Sequence, residues 1–218
     1  MTSKPAAPSV AWAILGIIAV AALGAYLHFG ASGPLPLDEA WREAARLTPG
    51  SVAFTVAAFM AEIGSAVGVA ACGAVACALL LTRQFGREAA ALATALVLGV
   101  ALSELAKALV ARPRPIDALY AWDGYSFPSG HSMGAAALAV SVAYAVTSVY
   151  RRGATFVTRA SVTWIWIAAV CWTLAMMWSR TALGVHWLSD TVAGAILGIC
   201  AALIAQRIWR PRGVRRGR

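Results

Sequence analysis

Charge is scarce in this chain. Only 12% of its 218 residues are Asp, Glu, Lys or Arg, against about 25% in a soluble globular domain. With 61% apolar residues, that shortage excludes an ordinary soluble domain and points to the bilayer. Acidic residues number nine and lysines two, so the net charge of +9 is almost wholly arginine. Three histidines, His28, His131 and His186, carry whatever imidazole chemistry is present. The four cysteines, Cys72, Cys77, Cys171 and Cys200, all lie inside apolar runs. None has a C-x-x-C spacing, so they read as small buried hydrophobes and not as metal ligands.

What is abundant is apolar sequence in long runs. A stretch of about 20 apolar residues spans the ~30 Å hydrocarbon layer, and six runs of that kind occur. They cover roughly 9–29, 52–82, 89–111, 129–149, 161–178 and 187–208. The first is longer than the apolar core of a signal peptide and reads as an uncleaved helix. The expected fold is therefore all-α, a single polytopic membrane domain over 1–218 with six transmembrane helices. Residues 34–50 form a polar, Pro-bounded connection, in which Asp38 to Glu43 reads as a short amphipathic helix on the membrane surface or a solvated loop. Gly64-x-x-x-Gly68 and Gly194-x-x-x-Gly198 read as close-packing faces within helices. Glu62 and Glu104 are costly inside a membrane and are expected to face partners. Lys107, three residues after Glu104, is the evident one, whereas Glu62 has none recognisable in the sequence.

Six spans place both ends of the chain on one side. That side collects Lys4, Arg83, Arg87, Arg151, Arg152, Arg159 and six arginines between Arg207 and Arg218. The positive-inside rule then puts the termini in the cytoplasm. On this placement the basic excess is topogenic, or drawn to anionic lipid, and is not a nucleic-acid arm.

Three polar clusters fall on the opposite, outer face. One is Lys107 with Arg112 and Arg114 just beyond the third run, where Pro113 and Pro115 end the helix. Another is Pro128-Ser129-Gly130-His131, which opens the fourth run. The last is the connecting stretch Ser179 to Asp190. Lys107, Arg114 and Arg180 are cations suited to an anion, and a guanidinium fork matches phosphate oxygens. A helix opening at Ser129 and Gly130 offers free backbone N–H groups and a favourable dipole. A carboxylate or sulfate would fit that cradle as well as a phosphoryl group. Phosphoryl transfer needs in addition a nucleophile and a proton donor for the leaving oxygen. If Trp187 opens a helix, His186 and Asp190 share one of its faces. The carboxylate would then hold one imidazole nitrogen and free the other for attack, and His131 remains as the acid.

These stretches resemble the signature of the type 2 phosphatidic acid phosphatase (lipid phosphate phosphatase) superfamily. Its K-x6-R-P appears as Lys107…Arg114-Pro115, its P-S-G-H as Pro128 to His131, and its S-R-x5-H-x3-D as Ser179-Arg180…His186…Asp190. The resemblance implies that Lys107, Arg114, Ser129, Gly130 and Arg180 bind phosphate. It also implies a phosphohistidine at His186, assisted by Asp190, with His131 as acid and then as base for water, and no metal or cofactor.

The expected reaction is hydrolysis of a phosphomonoester or pyrophosphate on a membrane lipid at the outer face of a bacterial cytoplasmic membrane. Polyprenyl pyrophosphate such as undecaprenyl pyrophosphate, phosphatidate and phosphatidylglycerophosphate are the candidate substrates. Alternatives are a lipid phosphotransferase that uses the same histidine and, less in keeping with charges gathered at one face, a transporter or scramblase. Tyr120, Trp122, Tyr125 and Phe127 read either as a head-group access segment or as an interfacial aromatic belt.

Overall fold

The computed structural model describes residues 10–30, 33–120 and 123–210. Among them there is no strand, and eight helices follow one another: α1 (Val10–Phe29), α2 (Pro36–Ala45), α3 (Val52–Ile63), α4 (Ala66–Thr82), α5 (Gly86–Val110), α6 (Gly130–Arg151), α7 (Arg159–Ala182) and α8 (Leu188–Ile208). Five of these, α1, α5, α6, α7 and α8, are long and apolar enough to cross a bilayer. The bent pair α3 and α4, taken as one span, has the length and composition of a sixth. Lys4, Trp122 and the arginines from Arg212 onward lie outside the described residues.

At the centre, α6 packs on α8, and α1, α5 and α7 surround that pair. The seam is made of small residues, including Ala136, Ala137, Ala193, Ala201 and Ala202, all buried. Within a membrane, association of this kind rests on close backbone approach and not on expelling water. The approach is tight at two glycines of α8. A Cβ on Gly194 would lie 2.3 Å from the Ser129 carbonyl oxygen, and one on Gly198 would lie 2.3 Å from that of Met133. Gly194-x-x-x-Gly198 is thus a packing face, as its spacing suggests. Large apolar side chains such as Trp12, Leu15, Val97, Leu105, Trp164 and Leu174 are exposed on the outer helices, as lipid-facing residues should be.

The second apolar run departs from expectation. It is not one helix over 52–82 but two, α3 and α4, which meet at 61°. Gly64 is the C-cap of α3, and the Ser65 hydroxyl caps α4 by accepting the Gly68 N–H. Gly64 and Gly68 therefore do not share a helix face. Gly68 instead packs under the end of α3, where a Cβ would meet the Ile63 carbonyl oxygen at 2.2 Å. The kink leans α3 onto α7 while α4 stays on α5 and α6.

Between 34 and 50 the amphipathic helix is present as α2, but Asp38 does not face solvent; it is 2% exposed. Trp41 Nε1 donates to Thr181 Oγ1 at 2.9 Å, and Arg42 and Arg46 pair with Asp117. This helix is strapped across the end of the bundle. The fifth run also continues past 178: Ser179 and Arg180 belong to the last turn of α7. Only five residues, 183–187, connect it to α8. Gly184 takes φ +68° there, and the Val185 N–H reaches back to the Arg180 carbonyl at 3.2 Å, a left-handed helix stop suited to glycine.

Candidate phosphate-binding and catalytic site

The C-terminal ends of α5 and α7 and the N-terminal ends of α6 and α8 meet at one end of the bundle. Ser129 is the N-cap of α6, its hydroxyl accepting the Ser132 N–H. Its own backbone N–H donates to the Asp190 carbonyl at 3.0 Å, which stitches the start of α6 to the first turn of α8. Gly130 opens α6, and a Cβ there would sit 3.6 Å from Lys107 Nζ. Lys107 projects from the last turn of α5 and is held by Glu104 Oε1 at 2.6 Å, the pairing expected from their spacing. Glu104 itself is largely exposed and does not face the bundle interior.

Arg114 is fixed by carbonyls. Its Nη1 donates to Val185 O at 2.7 Å, its Nε to Gly124 O at 2.9 Å and its Nη2 to Tyr125 O at 3.1 Å. The same Nη1 lies 3.1 Å from His186 Nε2. A guanidinium only donates, so Nε2 is the accepting, unprotonated nitrogen and the ring proton is on Nδ1. Nδ1 sits 3.6 Å from Asp190 Oδ2, just outside hydrogen-bond reach. The carboxylate is occupied elsewhere. Oδ2 accepts the Trp187 N–H at 2.9 Å, half of a capping box that starts α8, and Oδ1 accepts Arg112 Nη1 at 2.6 Å. Sequence spacing places His186 and Asp190 side by side correctly, but not in a direct hydrogen bond.

His186 is 3% exposed, and its pKa lies well below the ordinary imidazole value. Burial is the main cause, and the nearby charges of Arg114, Arg180 and Lys107 act in the same direction. The neutral form of the ring is therefore the favoured one. Burial also lowers the Arg114 pKa, against the opposing pull of Asp190 and Asp123.

His131 owes its orientation to the broken second span. In an unbroken helix the Ala61 carbonyl would accept the Ser65 N–H, but that N–H turns to the Glu62 carbonyl at 3.2 Å. The carbonyl of Ala61 instead meets His131 Nε2 at 3.1 Å. A carbonyl can only accept, which puts the proton on Nε2. One turn earlier, the Ala57 carbonyl accepts from Ser179 Oγ at 2.7 Å and anchors the end of α7 beside Arg180, which is fully buried. Glu62 also gains a partner: it accepts the Tyr120 hydroxyl, which raises the tyrosine pKa.

All eight residues singled out in the sequence gather at this end of the bundle. Arg112, grouped there with Lys107 and Arg114, separates from them. Its guanidinium turns away beneath α8 and is 0% exposed, between Asp38 Oδ2 at 2.8 Å and Asp190 Oδ1 at 2.6 Å. Breaking a buried pair of this kind costs about 3–5 kcal/mol. Asp38 is the residue sequence reading missed. Its only visible signal is an acidic residue in an amphipathic helix far away in the chain. Its pKa is lowered: burial would raise it, but the Ser189 N–H, Arg112, the Leu35 N–H and the Ser189 hydroxyl outweigh that. Of the aromatic segment, Phe127 is a core residue against Leu27 and Val20, and Tyr125 stays half exposed.

A cavity of about 590 Å³ leads away from the site. Lys107, Arg114, His131 and His186 line its head, and Gly73, Cys77 and Leu92 line its far end between α4 and α5. From Lys107 to Leu92 along α5 is 15 residues, or about 22 Å of helix. A polar head thus continues into an apolar trough that reaches deep into the span.

The sequence model of the PAP2 superfamily matches residues 88–213. The undecaprenyl-diphosphatase of Sulfolobus acidocaldarius is 28% identical over 137 residues, covering 60% of this chain and 59% of that protein. The match thus spans about three fifths of the curated relative. Among solved structures, a transmembrane PAP2-type phosphatidylglycerolphosphate phosphatase from Bacillus subtilis is similar with a TM-score of 0.77. It is 22% identical, over 94% of this chain and 98% of that one. Aquifex aeolicus LpxE is similar with a TM-score of 0.61 at 18% identity, over 79% and 96% of the two chains. At those identities the structural likeness establishes the fold.

Proposed function

We propose that this chain, which belongs to the PAP2 superfamily, is a lipid phosphatase or pyrophosphatase working through a phosphohistidine at His186. Lys107, Arg114, Arg180, Ser129 and Gly130 hold the phosphoryl oxygens. His186 Nε2 forms the P–N bond while the P–O bond to the leaving group breaks, and His131, entering the step as the imidazolium with its Nε2–H on the Ala61 carbonyl, gives that oxygen its Nδ1 proton. Water, deprotonated by His131, then attacks phosphorus; the P–N bond breaks, phosphate leaves and the neutral imidazole returns. Asp190 stabilises the positive ring during the phosphorylated stage.

One observation carries the reading: Lys107 with its partner Glu104, Arg114 and both histidines line the head of a cavity whose remaining wall is largely apolar. A soluble phosphate needs no such trough, whereas a phosphate on an acyl or prenyl chain fills both parts. Undecaprenyl pyrophosphate, phosphatidate and phosphatidylglycerophosphate all have that shape. The relatives' names favour the first and third. The site faces outward from a cytoplasmic membrane, since Arg83, Arg87, Arg151, Arg152 and Arg159 flank helix ends at the opposite end of the bundle.

The test is phosphate release from these three lipids by purified protein in detergent, with EDTA present. Release at the same rate with and without EDTA is expected, and His186→Ala should abolish it. Near-normal turnover by His186→Ala, or full loss on chelation, would overturn the mechanism.

A further inference from the structure

We propose that Asp38 and Arg112 are positioning residues for this reaction: a buried ion pair that locks the Asp190 carboxylate against His186. The proposal rests on His186 being the nucleophile.

The geometry begins with Arg112-Pro113-Arg114-Pro115. Prolines fix φ at alternate positions and keep the segment extended, so neighbouring arginines two apart need not share surroundings. Here they diverge completely. Arg114 turns to His186, while Arg112 turns under Trp187, its guanidinium carbon 5.6 Å from the indole centre. Arg112 Nη1 donates to Asp190 Oδ1 at 2.6 Å and to Ser189 Oγ at 2.8 Å. Its Nη2 donates to Asp38 Oδ2 at 2.8 Å and to Gly33 O at 3.2 Å. Asp38 closes the ring by accepting the Ser189 N–H and the Ser189 hydroxyl, each at 2.8 Å.

Two consequences follow. First, rotation of the Asp190 carboxylate is blocked at both oxygens, by Arg112 on one and the Trp187 N–H on the other. Oδ2 therefore stays on the Nδ1 side of the imidazole through the cycle. Second, the charges matter. Arg112 alone would neutralise Asp190 just where a phosphorylated imidazole, itself surrounded by Arg114, Arg180 and Lys107, needs a negative neighbour. Asp38 adds a second carboxylate, so the Asp38–Arg112–Asp190 group carries a net charge of about −1. At low local dielectric that difference is large. The amphipathic helix α2 is in this way part of the catalytic apparatus, although nothing on it touches phosphate.

The experiment compares Asp38→Asn and Arg112→Lys with the parent protein. Asn keeps the size of Asp38 without its charge. Lys keeps the charge of Arg112 but cannot bridge two carboxylates as a fork does. The readouts are kcat per active site, with sites counted from the phosphoenzyme burst, and inhibition by orthovanadate as a probe of the phosphate cradle. We expect kcat per site to fall about 10–100-fold in both variants, with vanadate inhibition close to that of the parent. A purely structural role would lower the number of active sites and leave kcat per site unchanged, which overturns the proposal. Loss of vanadate binding in step with kcat would also overturn it, because Arg112 would then be a phosphate ligand. If Asp38→Asn fails to fold, Arg112→Lys decides alone: parent-like kcat per site refutes the proposal. His186→Ala is assayed alongside. Activity there would refute the nucleophile assignment itself, whereas an inactive His186→Ala beside a parent-like Asp38→Asn refutes only the positioning.

Discussion

The backbone N–H of Ser129 donates to the carbonyl of Asp190 at 3.0 Å, joining the start of α6 to the first turn of α8. This contact brings the proposed phosphate cradle and the His186–Asp190 pair into one site. It exists because α8 presents Gly194, one turn after Asp190, to the Ser129 carbonyl.

Gly194→Ala should therefore damage function from a position that touches no substrate. The added methyl, 2.3 Å from the Ser129 oxygen, forces the two helix starts apart. Overpacking of this kind costs about 1–3 kcal/mol. We expect a lower melting temperature in detergent and a fall in kcat. Gly33→Ala, where a Cβ meets nothing within 4 Å, is the control for the added methyl itself.

If His131 is the acid, its loss should matter least where the leaving group needs no proton. His131→Ala should slow hydrolysis of an alkyl lipid phosphate by about 10²–10⁴-fold. With an aryl phosphate whose phenol is already acidic, the first step should be much less affected, as measured by the burst of phenolate. An equal loss on both substrates would remove His131 from the acid role.

The pH dependence follows from the His186 environment. Its folded pKa is depressed, so the ring is neutral throughout the range above the ordinary imidazole value of about 6.5 and for some distance below it. The acid limb of kcat/KM should accordingly lie below about pH 6.5. Arg114→Gln removes one of the depressing charges and should move that limb upward, toward higher pH. For stability the sign is the same as for any histidine buried in its neutral form. The unfolded chain binds the proton more readily, so this contribution is complete above the unfolded pKa. It is lost as pH falls from there toward the folded pKa. A melting-temperature series in that window, with and without His186→Ala, checks it.

The trough between α4 and α5 makes a separate demand. Ala70, on its wall, replaced by Trp should obstruct a lipid tail without approaching the histidines. KM for a long-chain lipid phosphate should rise, and the rate with a short water-soluble phosphate ester should hardly change. Equal effects on the two would place the tail elsewhere.

The sequence was most informative where function depends on residue type at short range. Apolar runs of bilayer length are a local property, so the helices could be read to within a few residues at most ends. The grouping of the candidate site was legible as well: each motif is short, and each sits where an apolar run starts or stops. The reading failed where the decisive partner is remote. At the 61° break the local signal is only the Gly64-Ser65 pair inside a run of bilayer length, and such a pair also fits an unbroken helix. The break depends on a serine cap and on α3 finding α7. Nor does anything beside Arg112 reveal that it binds Asp38, 74 residues away.

By itself, then, the sequence determined an all-helical membrane chain and the seven polar residues and one glycine that meet at one end of it, since hydrophobic length and fixed charges constrain both. Tertiary structure decided which partners each polar group has. Glycine contacts bring α6 to α8, the kink in the second span frees a carbonyl for His131, and α2 supplies the second carboxylate around Arg112. Each depends on backbone approach and burial between segments far apart in the chain, and burial is what makes their partnerships strong enough to matter.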